Sequence, residues 1–182
     1  EAKTKVVVTI PSLGSVSREV GGDRVDVVVL AKAGQDPHFV DAKPSFIVEL
    51  RNADLFIVNG LELEIGWVPP LLEGCRNGKV QAGASGYLDA SSFVSVIDLP
   101  TGTVDRSMGD VHALGNPHFC IDPIALRRIA TGISERLSAL DAEGAKSYAT
   151  NLKAYHRKLD EALFGAALVE EAGGSKLARL AE

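Results

Sequence analysis

The chain has 182 residues, 46% of them hydrophobic, which is enough for one well-packed domain and at most part of a second. Its net charge of −5 and the lack of any Lys/Arg cluster exclude a nucleic-acid surface. No apolar run approaches the roughly 20 residues that span a bilayer, and the opening Glu1-Ala2-Lys3 reads equally as a processed N-terminus or a cytosolic start.

The β-branched run Lys5–Ile10, stopped by Pro11, predicts a buried strand. A helix follows over Ser12–Val20, with Leu13, Val16 and Val20 on one face and Gly21-Gly22 ending it. Asp26–Ala31 is the second strand and runs out into a loop, Gly34-Gln35-Asp36-Pro37-His38-Phe39. Helix Lys43–Asn52, strand Asp54–Val58 and helix Glu62–Glu73 come next, the last irregular at Pro69-Pro70. Lys79–Ala82 and Phe93–Ile97 are read as two more strands. Strands that are apolar throughout and alternate with helices predict an α/β fold, a four-stranded-type parallel sheet flanked by helices. Ligands of such sheets bind beyond the carboxyl ends of the strands, where His38 falls.

The polar stretch Leu99–Asn116 is a long loop carrying His112 and Asp110. It leads into Gly115-Asn116-Pro117-His118-Phe119, which echoes the earlier Pro-His-Phe triplet. Asp122 then caps a helix that opens at Pro123 and reaches about Leu140. Asp141 caps a second helix, Ala142 to about Leu168, which at about 1.5 Å per residue would run near 40 Å and bridge two bodies. The chain thus divides into an α/β lobe over 1–140, a long helix over 141–168 and, over 169–182, the start of a second lobe otherwise absent.

Proline restricts both its own φ and the residue before it, so His38 and His118 each leave a stiffened turn with a limited direction. Neutral imidazole ligates zinc, copper, nickel and iron, and two such loops can converge on one ion. His112, six residues before His118, is a third candidate. His156, beside Arg157 and Lys158, reads as a solvated helix face. Asp36 orients its loop through an Asx turn rather than ligating, and Asp110 is at most a weak ligand. Cys75 and Cys120 match no zinc motif and are either two buried thiols or one disulfide. No nucleophile elbow, phosphate-binding loop or His-Glu-x-x-His is present, and Ser85 and Ser107 have no identifiable base.

The succession Val20-Gly21-Gly22-Asp23, Gly34-Gln35-Asp36-Pro37-His38, Ala53-Asp54-Leu55-Phe56-Ile57-Val58-Asn59-Gly60-Leu61-Glu62-Leu63-Glu64 and Gly115-Asn116-Pro117-His118-Phe119-Cys120-Ile121-Asp122-Pro123 resembles the zinc- and manganese-binding solute receptors of ATP-binding-cassette importers, the ZnuA/TroA type. The resemblance covers residues 1 to about 165. It implies one lobe of a two-lobed, non-enzymatic and monomeric receptor, periplasmic or otherwise extracytoplasmic. Such a receptor captures a divalent metal, for which the His pair favours Zn²⁺ over Mn²⁺, and delivers it to a membrane permease. It implies His38 and His118 as ligands, with two further ligands on a second lobe that has no positions in this sequence. The chain departs from the pattern at Cys120, where an aromatic residue is frequent, and in having His112 alone in place of a histidine-rich loop. Because only neutral imidazole ligates, binding is expected to weaken as pH falls towards about 6. The rival reading is a metal-dependent hydrolase with an activated water on the His pair. A plainer one is an α/β interaction domain without metal.

Overall fold

Three consecutive residues, Val6, Val7 and Val8, are fully enclosed. A strand achieves this only when both faces of its sheet are covered. The computed structural model describes residues 3–102 and 112–181 and places these valines in β1 (Thr4–Val8), inside a parallel sheet with β2 (Val25–Val29), β3 (Leu55–Val58) and β4 (Tyr87–Asp89). The strand order is β2-β1-β3-β4, with Val7 opposite both Val28 and Phe56, and Ile57 opposite Leu88.

The period-two alternation divides the interior. Val6, Val8, Leu55, Ile57 and Leu88 point into one core, closed by Leu13, Val16 and Val20 of α1 (Pro11–Gly21) and Ile129, Ile133 and Leu137 of α4 (Pro123–Leu140). Val7, Phe56 and Val58 point into a second core beneath Leu50 of α2 (Pro44–Arg51) and Leu71 of α3 (Val68–Cys75). The expected α/β class, a parallel sheet flanked by helices, is what the chain adopts. Cys75 belongs to the second core and Cys120 packs against the first, across the sheet, so both are free thiols rather than a disulfide.

Proline opens all four of these helices in the first turn, where a missing N–H costs no intrahelical bond. This corrects the reading of Glu62–Glu73 as one helix irregular at its prolines: Pro69-Pro70 begin α3, and residues 61–67 form a run of turns instead. The strand expected over Lys79–Ala82 is a 3-10 turn, Gly78–Val80, because the Asn77 side chain accepts the Lys79 N–H at 3.1 Å and donates to Leu50 O and Ala53 O. Phe93–Ile97 is no strand either. The sheet edge is taken by Tyr87–Asp89, after which the Asp89 side chain caps a 3-10 turn over Ala90–Phe93.

The long helix is also shorter than its pattern suggests. Asp141 caps a 3-10 turn, Ala142–Gly144, and α5 (Ala145–Phe164) follows with 20 residues, about 30 Å. Gly165, at φ 83°, ends it, and α6 (Ala166–Ala172) and α7 (Gly174–Leu180) complete the chain. On α5, Asp160 is 3% exposed and pairs with Arg127 of α4 at 3.0 Å, while Arg127 also donates to Ser175 of α7 at 2.8 Å. His156 is half-buried, not solvated: its Nε2 meets Arg127 O at 2.9 Å, and burial lowers its pKa.

Asp141 receives Arg24 Nε at 2.8 Å, the Tyr148 hydroxyl at 2.6 Å and the Gly144 N–H. The Arg24 guanidinium, then Tyr148, holds this carboxyl well below the usual carboxylate range. A depressed folded pKa adds stability above the unfolded value of about 3.9 and loses it as pH falls through the folded one. The melting temperature of an Asp141→Asn variant is therefore expected to fall less steeply below about pH 4 than that of the wild type. Parallel acid melts check this.

Candidate metal centre

The two Pro-His loops are built alike. In the first, Asp36 Oδ1 accepts the backbone N–H of His38 at 2.9 Å. In the second, Asn116 Oδ1 accepts that of His118, also at 2.9 Å. Each is an Asx turn across a proline, so the short polar residue two places ahead fixes where the histidine departs. The second loop needs Gly115 at φ 96°, where a Cβ would run into Val96 and lie 2.9 Å from Ile97 O. The triplets differ at their aromatic residue: Phe119 packs on the first core, whereas Phe39 is 77% exposed.

Each proline carbonyl is held from below by a buried donor. The Trp67 indole N–H donates to Pro37 O at 2.8 Å, and Asn59 Nδ2 donates to Pro117 O at 2.9 Å. Asn59 directly follows β3, and its Oδ1 accepts the Cys120 thiol at 3.3 Å. Burial pushes the Cys120 thiol up to about 11, which keeps it a neutral donor. Neither Asn59 nor Trp67 was singled out as a site residue in the sequence, although Asn59 lies in one of the matching stretches.

Above these supports stand His38, His112 and His118. One ligand nitrogen from each lies within 4.8 Å of the other two. The ring centroids form a near-regular triangle, 5.1, 5.3 and 5.5 Å on a side. His38 Nε2 and His112 Nε2 are 3.3 Å apart. Two nitrogens about 2.0–2.1 Å from a tetrahedral zinc are separated by about 3.3–3.4 Å, so this edge already has the spacing of a shared ion.

The tautomer at His38 is set as well. Its Nδ1–H donates to Asp36 Oδ1 at 2.7 Å, which leaves the Nε2 lone pair facing His112. The backbone N–H of His38, then its ring, holds the Asp36 carboxyl below its ordinary pKa, so the acceptor stays ionised. Asp36 thus both forms the expected Asx turn and orients the His38 ring. The structure brings the three predicted histidines together, with His38 and His112 half-buried and His118 exposed. Asp110 and Ser107 lie outside the described residues. Ser85, by its exposed carbonyl, receives Arg136 at the far end of the sheet.

The parallel α/β lobe thus gathers three imidazoles closely enough to share one transition-metal ion. Residues 6–163 match the family described as zinc-uptake complex component A, periplasmic, and the chain belongs to that family. Membership places it outside the cytoplasm, in the periplasm or at the cell surface. The chain is 32% identical over 162 residues to the manganese ABC transporter substrate-binding lipoprotein PsaA of Streptococcus pneumoniae, covering 87% of this chain and 49% of that one. It is 30% identical, with the same coverage, to the iron ABC transporter substrate-binding lipoprotein MtsA of Streptococcus pyogenes. Among solved structures, a zinc-bound ZnuA deletion mutant superposes with a TM-score of 0.72 at 26% identity, over 88% of this chain and 55% of that one. Zn(II)-bound AdcA of Streptococcus pneumoniae does so with 0.70 at 25%, over 93% and 32%. The chain therefore spans about half the length of the curated relatives it matches. Among the described residues, no helix is long and apolar enough to cross a membrane.

Proposed function

We propose that the chain is the metal-capturing lobe of an extracytoplasmic receptor that passes a divalent metal ion to the permease of an ABC importer. The observation that carries this reading is the convergence of His38, His112 and His118 within 4.8 Å. In this reading the metal is cargo. The three imidazoles supply three positions, and the fourth is left to a water or to a donor outside these 182 residues. The stretch 141–168, whose body is α5, serves as the link to a second lobe.

Zinc is the preferred ion. Manganese favours oxygen-rich shells, whereas imidazole suits zinc. Among the described residues, the carboxylate bonded to the trio is Asp36, which is engaged by the His38 Nδ1–H and backbone N–H. The relatives are named for manganese and iron as well as zinc, so the ion is decided by competition. The chelator-stripped chain is dialysed against equal Zn²⁺, Mn²⁺ and Fe²⁺ under anaerobic conditions, and bound metal is counted by mass spectrometry. Zinc close to one per chain is the expected result. Equal occupancy by manganese would overturn the preference, and no bound metal would overturn the capture reading for this lobe. The hydrolase alternative needs a general base beside the trio. Among the described residues, Asp36 is the carboxylate in contact with the trio, and it accepts the Nδ1–H of His38.

A further inference from the structure

Between β3 and α3 the backbone does something costly. Gly60, Leu61 and Glu62 lie in succession at φ 93°, 52° and 64°. Left-handed geometry at two adjacent non-glycine residues is strained and persists only where surrounding contacts impose it. Here the imposing group is the Glu64 carboxylate, 4% exposed. Its Oε1 accepts the Asn59 N–H at 2.7 Å and the Thr9 hydroxyl at 2.5 Å, and its Oε2 accepts the Gly60 N–H at 3.2 Å. Burial raises its pKa against these three bonds, which favour the charged form. The turn therefore closes on its own side chain, with Thr9 at the tip of β1 joining in.

The two ends of this turn are the two residues that support the histidine loops. Asn59, fully buried at its start, holds Pro117 O, and Trp67, 1% exposed at its end, holds Pro37 O. His118 and His38 directly follow those prolines. Gly66, one residue before Trp67, also runs under the first loop, where a Cβ would stand 3.7 Å from His38 O. One rigid segment of nine residues thus touches the carbonyl immediately preceding each histidine.

We propose that the turn Asn59–Trp67, closed on Glu64, is a clasp that fixes the separation of His38 and His118. Asn59 and Trp67 are its positioning residues: neither touches the ion, and both set the affinity for it. The inference rests on the metal-capture reading and adds to it the part of the fold that holds the site open to the right span. Such partners outside the ligand shell typically govern about 10- to 100-fold in affinity.

The test compares the wild-type chain with Trp67→Phe, which removes the indole donor and keeps an aromatic ring, and Asn59→Leu, which removes the donor to Pro117 O and the acceptor of the Cys120 thiol at similar volume. Two readouts are taken. In the metal-free protein, the nuclear Overhauser effect between the His38 and His118 rings, whose centroids are 5.3 Å apart, reports loop separation without any metal. Co²⁺ titration followed by visible absorption reports affinity and coordination geometry. The expected result is a weakened or lost ring–ring effect and Co²⁺ binding about tenfold or more weaker in both variants. Either variant, folded by its melting curve and keeping both the ring contact and an affinity within about twofold, would overturn the clasp. Trp67→Phe is the milder change and carries the test if Asn59→Leu does not fold. A wild type that shows the ring contact, loses it in the variants and takes up no Co²⁺ supports the clasp and removes the metal reading instead.

Discussion

Replacing His38 and His118 together by alanine is expected to abolish metal uptake, weakening Zn²⁺ binding by more than about a hundredfold, since partners outside the ligand shell alone govern up to that much. The double variant removes two of the three nitrogens and leaves His112 by itself on its loop. Equilibrium dialysis with mass-spectrometric detection checks the result. The same variant in the metal-free state should melt close to the wild type, because none of the three imidazoles belongs to either apolar core and His118 is exposed. The exposed His118 substitution changes stability by about 0.5 kcal/mol at most, and the half-buried His38 adds the loss of its hydrogen bond to Asp36, about 1 kcal/mol. A variant that binds zinc as the wild type does would mean that the trio is not the site. One that unfolds would mean that the loops are structural.

The second large effect concerns stability, away from the metal. Arg127→Met is expected to cost about 3–4 kcal/mol and lower the melting temperature by roughly 10 °C. Asp160 is 4% exposed at its side chain and receives Arg127 through Nε at 3.0 Å and more weakly through a second nitrogen at 3.4 Å. Removing the guanidinium leaves a buried carboxylate without its cation, the expensive way to break such a pair. Replacing both partners, as Arg127→Met with Asp160→Leu, is expected to recover most of the loss, because two apolar groups impose no unpaired charge. Thermal melts of the three proteins decide it. A single variant as stable as the wild type would show that the pair holds α4 and α5 together only weakly. Zinc affinity should be the same in all three.

Much of the lobe can be read from local pattern, because local pattern is what determines it. The apolar run around Val6–Val8 demands cover on both faces, and Asp122-Pro123 marks the start of α4 to the residue. The Pro-His loops were legible for the same reason: proline restricts the backbone wherever it stands. β4 was not legible. Tyr87–Asp89 is three residues long, and its place comes from pairing with β3, a contact no window of sequence contains. Pro69-Pro70 were visible but ambiguous, since the same prolines disrupt a helix that has begun or start one that has not. The helix expected to reach about Leu168 stops instead at Gly165, whose φ of 83° ends α5. In the site, the histidines announced themselves by composition, whereas Asn59 and Trp67 act through hydrogen bonds to carbonyls 58 and 30 residues away. Residues of that sort look like ordinary strand-end and core residues until the chain is folded.

The separation of the two apolar cores from the three imidazoles bears on how such a lobe changes over generations. Val6, Ile57 and Ile133 on one side of the sheet, and Phe56, Trp67 and Leu71 on the other, hold the scaffold without help from the loop tips. A substitution at position 38, 112 or 118 therefore leaves both apolar cores intact and is screened by selection mainly for its chemistry. If the trio holds metal as proposed, a lineage can exchange an imidazole for a carboxylate, and with it one preferred ion for another, while every helix and strand stays where it was.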